Sequence, residues 1–334
     1  MNYIGEHLLP GQLGHFFLLL SFVSSIGATV SYFLSVQKGK KLTTGNWQDL
    51  ANGAGSSQWK KLGRIFFITE VISVFAVFAI LFYIISNHYF EYKYAWQHSS
   101  RSLEPEYLLS CFWEGQEGSF LLWSVWHCVL GLVIIWKEKE WEAPVMAVIA
   151  FTQIILATML LGFDGLNMGS NPFVLMRNSG LLDNAPAFVD MNGAMRQDYL
   201  SLITDGNDLN PLLQNYWMVI HPPVLFLGFA STIIPFAFAI GGLWTKKFSA
   251  WTKPALPWTL FSAAALGTGI MMGAKWAYES LNFGGYWAWD PVENASLVPW
   301  LILVAGLHTM VIYRHTGNAL RTTFLFLLLS FVFV

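Results

Sequence analysis

The sequence predicts an all-α fold, a polytopic transmembrane helix bundle of seven spans plus a truncated eighth, and three observations point there. The first is composition: of 334 residues, 55% are hydrophobic and 11% charged, whereas a soluble domain carries roughly a quarter charged residues. The second is a series of apolar runs near the roughly 20 residues that a bilayer requires. They fall at about 13–36, 65–86, 119–136, 144–163, 217–244, 257–275 and 295–313, with another from 322 onward. The third is charge placement. Lys38, Lys40, Lys41, Lys60, Lys61, Arg64, Lys137, Lys139, Lys246, Lys247, Lys253, Arg314 and Arg321 fall on one side; only Lys93, Arg101, Arg177, Arg196 and Lys275 fall on the other. That is 13 against 5 of the 18 cationic residues. Cationic loops stay in the cytoplasm, so the N-terminus, the segments 87–118 and 164–216, and the loop 276–294 are expected outside. Residues 1–334 read as one integral-membrane domain without repeats, and a net charge of -2 gives no reason to expect nucleic acid.

Taken in order, the first run follows Glu6, His7, Pro10 and Gly11 and is long enough to be a true span and not a cleavable signal. The second carries Glu70 near its inner end, expected to snorkel or to pair with Arg64. In the outer segment 87–118, His88 and His98 sit among Tyr89, Tyr92, Tyr94 and Trp96 and read as solvated or as ligands. His7, His15 and His315 have no supporting pattern. Cys111 and Cys128 form no CxxC, and Cys128 falls within the third span, so no disulfide is expected. His127, in the same span beside Trp123 and Trp126, is either a functional intramembrane group or a neutral imidazole bonded to a neighbouring helix. The segment 164–216 is punctuated by Asn, Asp and Gly and has no period.

His221 opens the fifth span ahead of Pro222-Pro223, which favours an extended residue followed by a helix. It is an interfacial polar residue or a ligand. His308 lies 17 residues beyond Pro291 on the seventh span, roughly 25 Å below the outer face at about 1.5 Å per residue. It is an imidazole hydrogen-bonded to a neighbouring helix, the ligand of a second, buried group, or part of a proton path. The final run, Thr322 to Val334, is too short to cross and reads as the end of a fragment.

The most information lies in WAYESLNFGGYWAWDPVENASLVPW, Trp276 to Trp300. Tryptophan gathers at membrane interfaces in any case, but here Trp276, Tyr278, Phe283, Tyr286, Trp287, Trp289 and Trp300 crowd around Gly284-Gly285. Trp287 and Trp289 are two apart, which does not suit a helical stripe. Asp290 then reads as an N-cap, with Pro291 at the first helical position and Glu293 three residues on, completing a capping box. A flat aromatic surface anchored to a helix start suits a large planar ligand. Catalytic triads, phosphate loops and zinc spacings are absent from the sequence, so any chemistry is expected to run through a bound group.

That stretch resembles the tryptophan-rich WWD signature of the haem-handling proteins of cytochrome c biogenesis. Trp113 to Trp123 (WEGQEGSFLLW), Ser170 to Phe173 (SNPF) and Asp208 to Pro223 (DLNPLLQNYWMVIHPP) narrow the likeness. They are similar to the N-terminal half of the CcmF family, the haem lyase subunits of system I cytochrome c maturation. The WWD signature alone would equally fit a haem exporter of the CcmC type or a system II synthase of the CcsA type. The CcmF resemblance implies a haem b received from the chaperone CcmE at the WWD loop. With CcmH, that haem is joined to the CxxCH thiols of apocytochrome c. It implies that Trp276, Trp287, Trp289 and Asp290 contact this haem and that His221 is one of its two outward-facing axial ligands. It implies further that His308 is one of two intramembrane ligands to a separate b-type haem acting as a reductant, with lipid and quinol as further partners. The second ligand of each pair would lie beyond Val334. The expected location is the inner membrane, with the N-terminus and the haem loop periplasmic. One departure is Gln116, where the family commonly has histidine.

Overall fold

In the computed structural model of the chain, residues 3–40, 47–162, 169–183, 185–190, 194–280 and 285–334 are described. Lys41, Phe283 and Gly284, named above, lie outside them. The described residues form helices and no named strand: α1 (Leu8–Lys40), α2 (Trp47–Ser86), the short α3 (Lys93–His98), α4 (Pro105–Leu108) and α5 (Cys111–Glu114), then α6 (Gln116–Lys137), α7 (Glu142–Leu161), α8 (Tyr216–Trp244), α9 (Thr252–Ser280), α10 (Pro291–Thr316) and α11 (Leu320–Val332). Seven of them, α1, α2 and α6 to α10, are long and apolar enough to cross a membrane, and α11 is a shorter apolar helix. The predicted seven spans are therefore present, and the eighth apolar run forms a helix of 13 residues.

The helices run past the apolar windows because polar residues at their ends still satisfy the backbone ladder. Where they stop, a local cause can be named. α7 ends at Gly162, whose φ of 71° suits a residue without a Cβ. α10 ends at Gly317, again left-handed, its N–H bonded to the Tyr313 carbonyl. Along α1 the exposed residues Leu13, Phe16, Leu19, Val23, Ile26, Val30 and Phe33 recur three and four apart, the stripe that a lipid-facing helix presents.

The chain forms two compact units. One comprises residues 1–21, 72–122 and 156–219. Here the segments expected as loops fold back on themselves. Glu6 accepts bonds from Arg177 (2.7 Å) and the Tyr199 hydroxyl (2.8 Å). Tyr92 donates to the His7 carbonyl (2.6 Å) and accepts from the Gly11 N–H (2.8 Å). His7 bonds Glu91 at 2.9 Å and stacks flat on Tyr89, and His98 bonds Glu114 at 2.9 Å. His7 and His98 thus serve as structural partners of buried or half-buried carboxylates, a role that spacing did not reveal because each partner is distant in sequence.

The other unit comprises residues 22–71, 123–155 and 220–334. Its apolar core joins Tyr32, Phe67, Ile134, Val145, Ile149, Ile233, Phe238 and Trp251. At one edge stands Glu142, fully buried, taking two 2.6 Å bonds from Arg64, with Lys60 at 3.1 Å. This corrects the expectation for Glu70. Arg64 pairs with Glu142, and Glu70 is 0% exposed and does not snorkel.

Candidate functional site

The aromatic segment divides between helix and turn. Trp276 belongs to the closing turns of α9 and not to a loop, whereas residues 285–290 are irregular, as the Trp287/Trp289 spacing predicts. Asp290 is the N-cap of α10, with both halves of the capping box in place. Its Oδ1 accepts from the Glu293 N–H at 2.8 Å, and Glu293 Oε2 accepts from the Ala288 N–H at 2.8 Å and the Asp290 N–H at 3.4 Å. Trp289 adopts a φ of 60°, uncommon for a large side chain. Its carbonyl is tied down by Asn294 Nδ2 at 3.1 Å. The polar groups of one helix start therefore hold the turn that presents the indoles.

Those rings have defined relations. Trp287 and Trp289 meet edge to face at 5.8 Å, and Tyr278 stacks on Tyr286 at 4.2 Å with planes 4° apart. Beside them opens a cleft of about 460 Å³ walled by Gly267, Ile270, Met271, Ala274, Tyr286, Trp287, Trp289, Leu297 and Trp300, within the range typical of ligand sites. A smaller recess of about 130 Å³ adjoins it, sharing Ile270, Ala274 and Trp287 and adding His221, Gly273, Trp276 and Asp290. The indole N–H groups of Trp276 and Trp287 are buried without acceptors.

His221 is placed with these groups, 5.7 Å from Trp276 between ring centroids. The expectation of an extended residue ahead of the prolines is corrected, because α8 begins at Tyr216 and both prolines lie inside it. Pro222 has no N–H to give the Met218 carbonyl four residues back. The indole N–H of Trp113 bonds that carbonyl at 2.8 Å. The histidine is 9% exposed, and its Nδ1 is buried with no partner at bonding distance. Its ring lies directly over Gly273, where an added Cβ would come within 2.9 Å of Cε1.

His308 is elsewhere. It sits mid-way along α10, exposed, with Nδ1 bonded to the Val304 carbonyl one turn back at 2.8 Å. It lines neither the cleft nor the recess. The sequence reading missed Gly273, Ala274 and Ile270 as lining residues. Their signal was the spacing of Gly269 and Gly273, which puts two small residues on one face of a spanning helix.

A family model described as cytochrome C assembly protein matches residues 113–334. The cytochrome c-type biogenesis protein CcmF of Haemophilus influenzae is 33% identical over 279 residues, covering 83% of this chain and 39% of that protein. CcmF of Pseudomonas aeruginosa is 33% identical over 311 residues, covering 92% and 41%. A solved chain titled cytochrome c heme lyase CcmF superposes with a TM-score of 0.71 over 97% of this chain and 46% of its own length, at 24% identity, a likeness of fold. The chain spans about two fifths of the length of these curated relatives.

Proposed function

The chain belongs to the cytochrome c assembly protein family, and on that premise we propose that it is a CcmF-type haem lyase component. In this reading it binds haem in the cleft beside Trp287 and Trp289 for attachment to the CxxCH thiols of apocytochrome c. One observation supports this above the others: a buried imidazole with an unpaired nitrogen stands in the recess that opens beside an apolar aromatic cleft. The residues suit a porphyrin. Indole faces supply area and offset stacking, and a neutral histidine is an ordinary iron ligand. The two unpaired indole N–H groups are donors for acceptors at the ligand's rim.

Haem is here the substrate, and thioether formation joins a cysteine sulfur to a vinyl carbon, with the thiol proton ending on the neighbouring carbon. This chain's part is orientation, whose worth comes from converting an encounter into a held geometry. His221 would hold the iron, Gly273 leaves room for its ring, and Trp276, Trp287 and Trp289 would hold the porphyrin plane. The Asp290–Glu293 capping box holds the turn that carries the last two. A second, intramembrane b-type haem, serving as a reductant, would take His308 as one of its ligands. Partners in this reading are the chaperone CcmE, CcmH, apocytochrome c and membrane lipid or quinol, with the cleft on the periplasmic side of the inner membrane.

The test is a His221→Ala variant purified in detergent. Visible absorbance should show loss of the cleft haem with the His308 haem retained, and attachment to a co-expressed apocytochrome c should fall at least tenfold. Unchanged absorbance and attachment would overturn the reading.

A further inference from the structure

A second cluster of ionisable groups lies inside the same unit and takes no part in the chemistry above. Glu70 of α2 and His127 of α6 are both 0% exposed, and Gln153 of α7 is 2% exposed. Gln153 stands beside both of them. Its amide N–H groups are committed to the Ser124 carbonyl at 3.2 Å and the Cys128 sulfur at 3.3 Å. Both carboxylate oxygens of Glu70, both ring nitrogens of His127 and the amide oxygen of Gln153 are buried without a partner at bonding distance. Buried polar groups are nearly always paired, so five unpaired atoms on three side chains, with Gln153 beside each of the other two, mark a special site.

The neighbours supply no compensating charge. Arg64, the cation nearest along α2, lies about 9 Å up the helix at 1.5 Å per residue and gives both its bonds to Glu142. Cys128 of α6 lies close enough to Glu70 to feel its charge, and the Ala230 backbone of α8 lies near His127 without reaching bonding distance. An isolated carboxylate in such surroundings is costly by far more than a hydrogen bond. Intramembrane ionisable groups persist where they are used.

We propose that Glu70, His127 and Gln153 form a proton-binding site within the bundle, in which Glu70 carries a proton as a neutral carboxylic acid and His127 is the base that can receive it. On transfer the proton leaves the Glu70 oxygen and, passed across Gln153, bonds to an imidazole nitrogen, giving a carboxylate and an imidazolium on either side of the amide; return restores two neutral groups, so the net charge of the site is constant. The carboxylic acid O–H gives the cluster a donor for its unpaired acceptors. The site stands on α2, α6 and α7 alone and is independent of the haem reading.

Infrared spectroscopy of the full chain in lipid nanodiscs tests it. A carbonyl band of a protonated carboxylic acid should be present at neutral pH, persist above the range where ordinary glutamates ionise, and shift in deuterated water. It should vanish in Glu70→Gln and move to the aspartic acid position in Glu70→Asp. In His127→Leu it should change frequency, because the base on the far side of Gln153 is gone. The wild-type spectrum needs no variant to fold: absence of any such band at neutral pH overturns the proposal. So does a band unmoved by Glu70→Asp, or one unmoved by His127→Leu, which would leave Glu70 a solitary buried acid.

Discussion

Gly273 separates two meanings of a glycine in the recess. A methyl added there would meet His221 Cε1 at 2.9 Å and Nε2 at 3.3 Å, whereas one added at Gly285 would meet nothing within 4 Å. Forcing a side chain aside in a packed site costs typically 1–3 kcal/mol. Gly273→Ala should therefore weaken haem binding about five- to a hundredfold while Gly285→Ala leaves it unchanged, read by haem titration against absorbance. Equal effects would show that His221 is not held against α9 in the working protein. This scale is also where the sequence was least legible. His221 could be singled out by its place ahead of two prolines, but that a proline would free a carbonyl for Trp113 depends on a side chain about a hundred residues away. The same holds for Glu70, whose presumed partner Arg64 is bound to a carboxylate that only the packing of α2 against α7 brings near.

At the scale of elements, the start of α10 was fully readable, since a capping box is a local code and needs no tertiary partner. Its consequence reaches further, because the same Glu293 carboxylate holds Ala288, between the two indoles. Asp290→Ala should cost about 0.5–2 kcal/mol by thermal unfolding and should loosen haem in parallel. Changing Trp287 and Trp289 together should abolish cleft haem while far-UV helicity is kept, and loss of helicity would make the rings structural. The outer segments were the reverse case, reading as loops because their helices are three to six residues long and their bonds join distant stretches. Tyr92 shows how tightly they are tied. Burial pushes its hydroxyl up to about 12 from an ordinary 10. The protonated form belongs to the fold, so its stabilisation is complete below about pH 10 and is lost as pH rises towards 12. An alkaline titration followed by tyrosinate absorbance should lack several early tyrosines relative to denatured protein, since burial also raises Tyr94 and Tyr199, and Tyr92→Phe should reduce that number by one while costing about 0.5–1.5 kcal/mol for each of two bonds.

For the whole molecule, the seven spans followed from hydropathy alone, because a bilayer imposes length and internal hydrogen bonding on anything that crosses it. Sidedness rests on a different force, the retention of lysine and arginine on the cytoplasmic side, and it can be tested separately. Both native cysteines are buried, and burial pushes the Cys111 thiol up to about 12, so little of it is the reactive thiolate at neutral pH. Single introduced cysteines will therefore be read against a quiet background. Lys247, half-exposed between α8 and α9, belongs to the cationic set; Arg196, similarly exposed in the segment between α7 and α8, belongs to the other. In intact cells a membrane-impermeant thiol reagent should label Arg196→Cys and spare Lys247→Cys until the membrane is opened. The reverse pattern would turn the aromatic cleft towards the cytoplasm. Attachment of haem to an exported cytochrome would then require a route across the membrane that none of the residues around His221 provides.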